Sequence, residues 1–171
     1  VAVHIATTFW VFLTAVFCFR IAKRLLNDRA GLIAAFYYTI FTTAYSPKII
    51  STSIVVLMML PLTISIDALL TWERSQRKRH LWLSGIMWGL GCFFKYQAGV
   101  NVIAIAFYLL LFRPFWQKRP SAPADLKALA RFVLGGMFVG AAFSIYLYFK
   151  GSWDDFIFWS IRGSTAYIEG A

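Results

Sequence analysis

Long uncharged apolar runs alternate along the chain with short charged or polar stretches. The runs lack the alternating polarity of barrel strands, and within lipid only helices or closed barrels satisfy the backbone hydrogen bonds. Because about 20 apolar residues cross a bilayer as a helix, the pattern predicts an all-α, polytopic transmembrane bundle of about six helices. We expect one transmembrane domain over residues 1–171, with helices near 1–19, 30–47, 49–72, 81–94, 96–112 and 132–149 and an outer-face tail at 150–171.

Composition excludes the other broad classes of protein. Apolar residues make up 60% of the chain and charged residues 14%, whereas soluble domains usually have about 25% charged residues. An aromatic content of 19% is the opposite of what disordered chains show. A membrane protein is the class that remains.

The net charge of +10 is concentrated in the short stretches. Thirteen of the 17 basic residues fall into three clusters, at 20–29, 74–79 and 113–131. An excess of Lys and Arg is typical of cytoplasmic loops, so Arg24, Arg77 and Lys118 are predicted to face the cytoplasm. We expect the clusters to contact anionic lipid headgroups and not nucleic acid.

The same alternation places Lys48, Lys95 and Asp154 on the outer face. Lys95 ends the 14-residue run 81–94, which reaches only about 21 Å of a hydrocarbon core of about 30 Å. Either this helix begins deeper in the basic loop, or Lys95 lies below the outer surface. A lysine in such a recess needs an anionic partner, whereas a lysine at a helix end snorkels to the surface.

Lys48 follows Pro47 in a polar outer stretch. Two lysines that open on one outer face, Lys48 and Lys95, could hold a phosphate as point charges. The alternative for Lys48 is a solvated anchor.

Small residues predict close helix packing. Gly85-xxx-Gly89 and Gly136-xxx-Gly140 both have the spacing that lets two helix backbones approach. Plain packing explains both motifs without any contact to substrate.

The acidic residues have structural interpretations. Asp67 lies near the predicted inner end of the third helix, where Arg74 or Arg77 could pair with it. Asp154 and Asp155 stand at a predicted helix start, which accounts for both without catalysis.

No metal site and no cofactor are predicted. Cys18 and Cys92 lie inside apolar stretches, which predicts buried thiols and no disulfide framework. His4 and His80 are isolated and lack the spacing of metal ligands.

Several segments resemble a known family. They are Arg-Ile-Ala-Lys-Arg-Leu-Leu-Asn-Asp-Arg-Ala-Gly, the Tyr-Ser-Pro that follows the second run, and Leu-Ser-Gly-Ile-Met-Trp-Gly-Leu-Gly-Cys-Phe-Phe-Lys-Tyr-Gln-Ala-Gly. In this order they resemble polyprenyl-phosphate-dependent glycosyltransferases of the GT-C fold. That family includes dolichyl-phosphate-mannose protein mannosyltransferases and the aminoarabinose transferases that modify lipid A.

The resemblance implies an integral membrane enzyme, multi-pass, in the bacterial plasma (inner) membrane. Such an enzyme transfers a hexosyl or pentosyl unit from a polyprenyl-phosphate sugar donor to an acceptor lipid, glycan or protein of the cell envelope, at the outer face. Such a reaction needs cations to stabilise the departing lipid phosphate. Lys95, which has the Phe-Lys setting of the family, and Lys48 could supply them, with Tyr96 and Gln97 as further hydrogen-bond donors.

The resemblance assigns no catalytic residue. The family's catalytic acid lies in the first outer loop, ahead of the part that this chain matches, so we expect an internal fragment that is inactive alone. The alternative is a membrane carrier, flippase-like, or a noncatalytic scaffold protein, in which Lys95 is a transport or structural charge.

Overall fold

The computed structural model describes residues 2–44, 54–118 and 123–158, and these ranges are helical throughout apart from short turns. The elements are α1 (Ala2–Leu25), α2 (Asp28–Ala44), α3 (Ile54–Ser75), α4 (Lys78–Phe94), a 3₁₀ turn (Tyr96–Val100), α5 (Asn101–Phe107), a π-helical turn (Tyr108–Phe112), α6 (Arg113–Trp116), α7 (Pro123–Phe149) and α8 (Trp153–Ile157). The segment from the 3₁₀ turn to α6 is continuous. The prediction of an all-α bundle is confirmed.

Four helical segments in the described ranges are long and apolar enough to cross a membrane. They are Ile5–Leu25, Ile54–Ser75, Gln97–Trp116 and Pro123–Phe149. Helices α2 and α4 have 17 residues each and reach about 25 Å, somewhat less than a hydrocarbon core of about 30 Å. Crossings by α2 and α4 therefore stay predictions.

Several helices continue into the basic clusters. The structure extends the predicted helices to Leu25 in α1 and Ser75 in α3, and begins α4 at Lys78 and α7 at Pro123. Lys and Arg are good helix formers, and their aliphatic stems cover apolar surface while the charge reaches water. A charged residue at a membrane boundary therefore does not end a helix.

Helices α3 and α4 are joined by a reciprocal pair of buried hydrogen bonds. The Ser65 hydroxyl donates to the Ser84 carbonyl over 2.8 Å, and the Ser84 hydroxyl donates to the Ser65 carbonyl over 2.8 Å. Small hydroxyl residues allow helices to approach and hydrogen-bond across the interface in a membrane. This contact fixes α3 and α4 near their middle.

Glycines bring α4 and α7 into backbone contact. Gly85 and Gly89 of α4 face Gly135 and Gly136 of α7, and a Cβ added at Gly89 would lie 2.8 Å from the Gly136 carbonyl oxygen. The packing prediction for Gly85 and Gly89 is confirmed. For Gly140 it is wrong, because within the described ranges no atom lies within 4 Å of a Cβ added there. Gly135 packs against α4 in its place.

The contacts also fix the direction of the helices. Gly89 packs on Gly136 and Phe93 contacts Phe143, so α4 and α7 run parallel. Ion pairs join the C-terminal half of α1 to α3, the end of α3 to α6, and α6 to the start of α7. We call this the basic end, because it contains the described residues of all three basic clusters. The opposite end, where α4 and α7 finish, is the Lys95 end.

Candidate functional site

Lys95 is the tip of the hairpin between α4 and the segment that returns toward the basic end. It is one extended residue, with φ −156° and ψ 119°, between α4 and the 3₁₀ turn. Its N–H donates to the Gly91 carbonyl over 3.2 Å, and its carbonyl accepts from the Ala98 N–H over 2.9 Å. Both backbone groups are used, so the tip is held from both sides.

Two tryptophans fix the surroundings of this tip. The Trp88 indole N–H donates to the Ala98 carbonyl over 3.0 Å, which ties the 3₁₀ turn back to α4. The Trp10 indole N–H donates to the Leu57 carbonyl over 3.0 Å, and its ring meets the Phe94 ring edge to face at 6.3 Å. Helices α1, α3 and α4 therefore converge immediately below Lys95.

Neighbouring helices extend beyond the hairpin tip. Helix α1 begins at Ala2, so it continues about 12 Å past Trp10 at 1.5 Å per residue. Helix α7 ends at Phe149, which is about 9 Å past the Phe143 ring that contacts Phe93. Both helices therefore extend past the level of Lys95 along the bundle.

Of the two explanations offered for the short fourth run, the first holds in part. Helix α4 begins at Lys78, inside the basic cluster, so it reaches about 25 Å and not 21 Å. The remaining shortfall from about 30 Å is about 5 Å. The second explanation, that Lys95 lies below the outer surface, stays a prediction, and the extension of α1 and α7 past the level of Lys95 is compatible with it.

The Lys95 side chain is half-buried, and it forms no ion pair with the residues that the structure describes. Gln97 is exposed on the following turn. Lys48 and the Tyr96 side chain lie outside the described residues. The structure therefore brings Lys95 and Gln97 onto one turn, and the phosphate-binding role of all four stays a prediction.

Asp154 and Asp155 lie in the first turn of α8, where both are exposed. The predicted helix start is therefore confirmed. The Phe156 ring meets the Phe143 ring at 5.8 Å, so α8 folds back against α7 at the Lys95 end. Acidic residues at a helix N-terminus are stabilised by the helix dipole.

The basic end contains a buried ion cluster around Asp67. Arg20 Nη2 lies 3.0 Å from Asp67 Oδ2, and Arg24 Nη1 lies 2.8 Å from Oδ1. The predicted pairing of Asp67 with Arg74 or Arg77 is wrong. Arg74 instead donates to the Arg24 carbonyl over 2.8 Å, near the end of α1.

A second buried ion cluster surrounds Arg113. Its Nε donates to both carboxylate oxygens of Glu73 at 2.9 Å, and its Nη1 donates to Asp125, which is fully buried. The guanidinium also lies over the Trp72 ring, 4.8 Å from the centroid. Arg113 was expected among the residues that contact headgroups, but it joins α3, α6 and α7 inside the bundle.

Sequence reasoning missed these partners because they are distant in sequence. Arg113 and Glu73 are 40 positions apart, and Arg24 and Asp67 are 43 positions apart. The sequence feature that could have indicated such pairs is the single acidic residue at the end of an apolar run. When such an acid is buried, it needs a cationic partner. Within the described ranges no group of three or more His, Cys, Asp or Glu side chains could hold a metal ion.

Together, the long apolar helices and the charge asymmetry define a polytopic helical membrane protein. Over residues 1–134 the sequence matches the family model of dolichyl-phosphate-mannose-protein mannosyltransferase. The match covers well over half of the 171 residues, and the chain belongs to this family of glycosyltransferases. No curated protein and no solved structure matches it.

Proposed function

We propose that this chain is part of a membrane glycosyltransferase that takes a hexosyl or pentosyl unit from a polyprenyl-phosphate carrier. The acceptor is a lipid, glycan or protein at the outer face of the bacterial inner membrane. Family membership supports the reaction class. The observation that carries the site is a half-buried Lys95 at a hairpin tip, past which α1 and α7 extend, and we take this place as a recess at the outer face. The basic clusters lie at the opposite end of the bundle from Lys95, which supports an orientation with the Lys95 end at the outer face.

Lys95 meets the chemical need of the leaving group. When the sugar departs, negative charge develops on the carrier phosphate, and a fixed cation stabilises that charge most in a site that excludes water. An unpaired lysine at membrane depth costs at least about 2.5–3.5 kcal/mol on insertion scales. A bound phosphate offsets that cost. Lys48, Tyr96 and Gln97 would add a second charge and hydrogen-bond donors.

The exposed face that follows Lys95 suits the lipid part of the carrier. Val100, Ile103, Phe107 and Leu111 are all exposed, and their spacing places them on one side of a helix. This apolar stripe begins next to the recess and continues toward the basic end. A phosphate at Lys95 would therefore leave its polyprenyl chain lying along α5 and the π-helical turn.

The acceptor hydroxyl needs a carboxylate base. None of the acids in this chain is assigned that role, and the paired acids of the basic end lie at the wrong end of the bundle. Sugar transfer is therefore expected from the full-length protein and not from this chain alone.

The test is the substitution Lys95→Met in the full-length protein, with donor-lipid affinity and sugar-transfer rate as readouts. We expect transfer to fall by about 100-fold or more, the scale seen when a preorganised stabilising donor is lost. Lys95→Arg keeps the charge and should retain part of the activity.

Lys150 provides the matched control, because it is an exposed lysine in the turn after α7 at the same end. Lys150→Met should leave both readouts unchanged. Wild-type affinity and rate in Lys95→Met would refute the phosphate-binding role of Lys95.

A further inference from the structure

An exposed apolar stripe on α1 ends at an arginine. Ile5, Phe9, Phe12 and Val16 are exposed, and their spacing of four, three and four residues places them on one face of the helix. Arg20 follows one turn later, beside the same face. The stripe is about 16 Å long at 1.5 Å per residue, which suits contact with an acyl chain.

Arg20 is held in place and still accessible. Its Nη2 contacts the buried Asp67 carboxylate at 3.0 Å, yet its side chain is 45% exposed. Its guanidinium also lies 5.2 Å from the Phe17 ring centroid. A guanidinium has five N–H donors, so the Asp67 contact leaves donors that point away from the carboxylate.

The Asp67 cluster has excess positive charge. It includes three arginines. Arg20 and Arg24 form ion pairs with the Asp67 carboxylate, and Arg74 donates a hydrogen bond to the Arg24 carbonyl. One carboxylate cannot neutralise three guanidiniums. Lys23 at the same level is paired with Asp28 at 2.8 Å and adds no net charge. Two positive charges therefore remain in excess, which an anion would balance.

We propose that Arg20, Arg24 and Arg74 bind the phosphate of an anionic phospholipid, one acyl chain of which lies along the α1 stripe. Guanidinium groups suit phosphate oxygens because their donors are planar and paired. The apolar stripe is continuous with the charged site, which favours a lipid over a free phosphate ion. This site is at the basic end, so it is separate from Lys95 and does not depend on the proposed function.

In the test, full-length protein in detergent is titrated with dioleoyl phosphatidylglycerol, and the unfolding temperature is measured at each lipid concentration. A ligand that binds the folded state raises this temperature with concentration, which gives an apparent Kd. Arg20→Gln should weaken the apparent Kd about fivefold, as expected for one basic residue near an anionic surface. Arg74→Gln should act similarly, and it is the safer variant because Arg74 is exposed and does not contact Asp67.

Lys127 supplies the matched control. It is an exposed lysine at the basic end, on α7 and away from α1, so Lys127→Gln removes the same charge elsewhere. We expect no change in its apparent Kd. An equal loss in Lys127→Gln would mean general charge attraction and would overturn the proposal.

Three further ligands test the identity of the bound molecule. Dioleoyl phosphatidylcholine has the same phosphate and chains without net charge, and it should bind more weakly than phosphatidylglycerol. Short-chain phosphatidylglycerol and inorganic phosphate should also bind more weakly, because neither fills the stripe. If phosphatidylcholine, short-chain phosphatidylglycerol or inorganic phosphate binds as tightly as dioleoyl phosphatidylglycerol, the proposal of an anionic phospholipid site is contradicted.

Discussion

Helices α4 and α7 approach so closely that the effect of one methyl group can be estimated. In Gly89→Ala the new Cβ would lie 2.8 Å from the Gly136 carbonyl oxygen and 2.9 Å from the Gly136 Cα. Since carbon atoms pack at about 3.5–4.0 Å, the helices must separate by about 0.6 Å or more at this point. Overpacking of this kind costs about 1–3 kcal/mol.

The substitution also has a favourable term. Alanine is preferred over glycine in a helix interior by about 0.5–1 kcal/mol, so the net loss in Gly89→Ala is centred on about 1.3 kcal/mol and is at most about 2.5 kcal/mol. In a chain of this size, 1 kcal/mol shifts the unfolding temperature by about 2–4 °C. We therefore expect the unfolding temperature of purified protein in detergent to fall by about 3–5 °C, and by no more than about 10 °C.

Gly140→Ala is the control that separates the effect of helix packing from the helix preference of alanine. Gly140 lies in α7 with no atom within 4 Å of an added Cβ in the described part of the chain. Gly140→Ala gains the same helix preference without the collision, so the unfolding temperature should rise by about 1–4 °C. If Gly89→Ala rises as Gly140→Ala does, the two helices are not in backbone contact and the reasoning fails.

Two further predictions concern the ion clusters and the orientation. Arg113→Met should destabilise the bundle by about 3–5 kcal/mol, because it removes the cation beside the fully buried Asp125 carboxylate and the partly buried Glu73 carboxylate. Replacing all three by apolar residues of similar size should be close to neutral in the same unfolding assay, and a triple variant as unstable as Arg113→Met would contradict this. Cysteines placed at 77 and 154 test the topology in intact cells: an impermeant thiol reagent should label 154 and spare 77, and the reverse pattern would invert the orientation.

Helix identity was predictable from the sequence because the apolar runs are long. Helix ends were not, since most of the predictions used the first charged residue as a boundary; the third helix, predicted over 49–72 and including Asp67, is the exception. Arg20 and Arg24 lie within α1, where they extend it toward Leu25 and pair with Asp67 on α3. A charge with a partner on a neighbouring helix stays inside a helix, and that partner is unknown until the helices are packed.

The candidate site stays a prediction. A short apolar run pointed to Lys95, and the structure places Lys95 at a hairpin tip. The extension of α1 past Trp10 and of α7 past Phe143 follows from helix packing, which no local pattern contains. The role of Trp88 could not be predicted either, because its indole N–H donates to the Ala98 carbonyl on the other side of the hairpin.

The two ends of the bundle differ in how charge is balanced, so the sequence supports a prediction of orientation more directly than a prediction of residue roles. The segments of the basic end contain thirteen basic residues against four acids, Asp28, Asp67, Glu73 and Asp125. Each of these acids is paired with Lys or Arg, yet nine positive charges remain in excess. An orientation rule counts basic residues near helix ends, and buried pairing of a few arginines does not change that count. Among the described residues of the Lys95 end, two lysines stand against two acids, Lys95 and Lys150 against Asp154 and Asp155, so the position of each side chain matters more than the total. Lys95 is half-buried there without an ion-pair partner among the described residues, and it therefore has a chemical meaning that one more lysine at the basic end would not have.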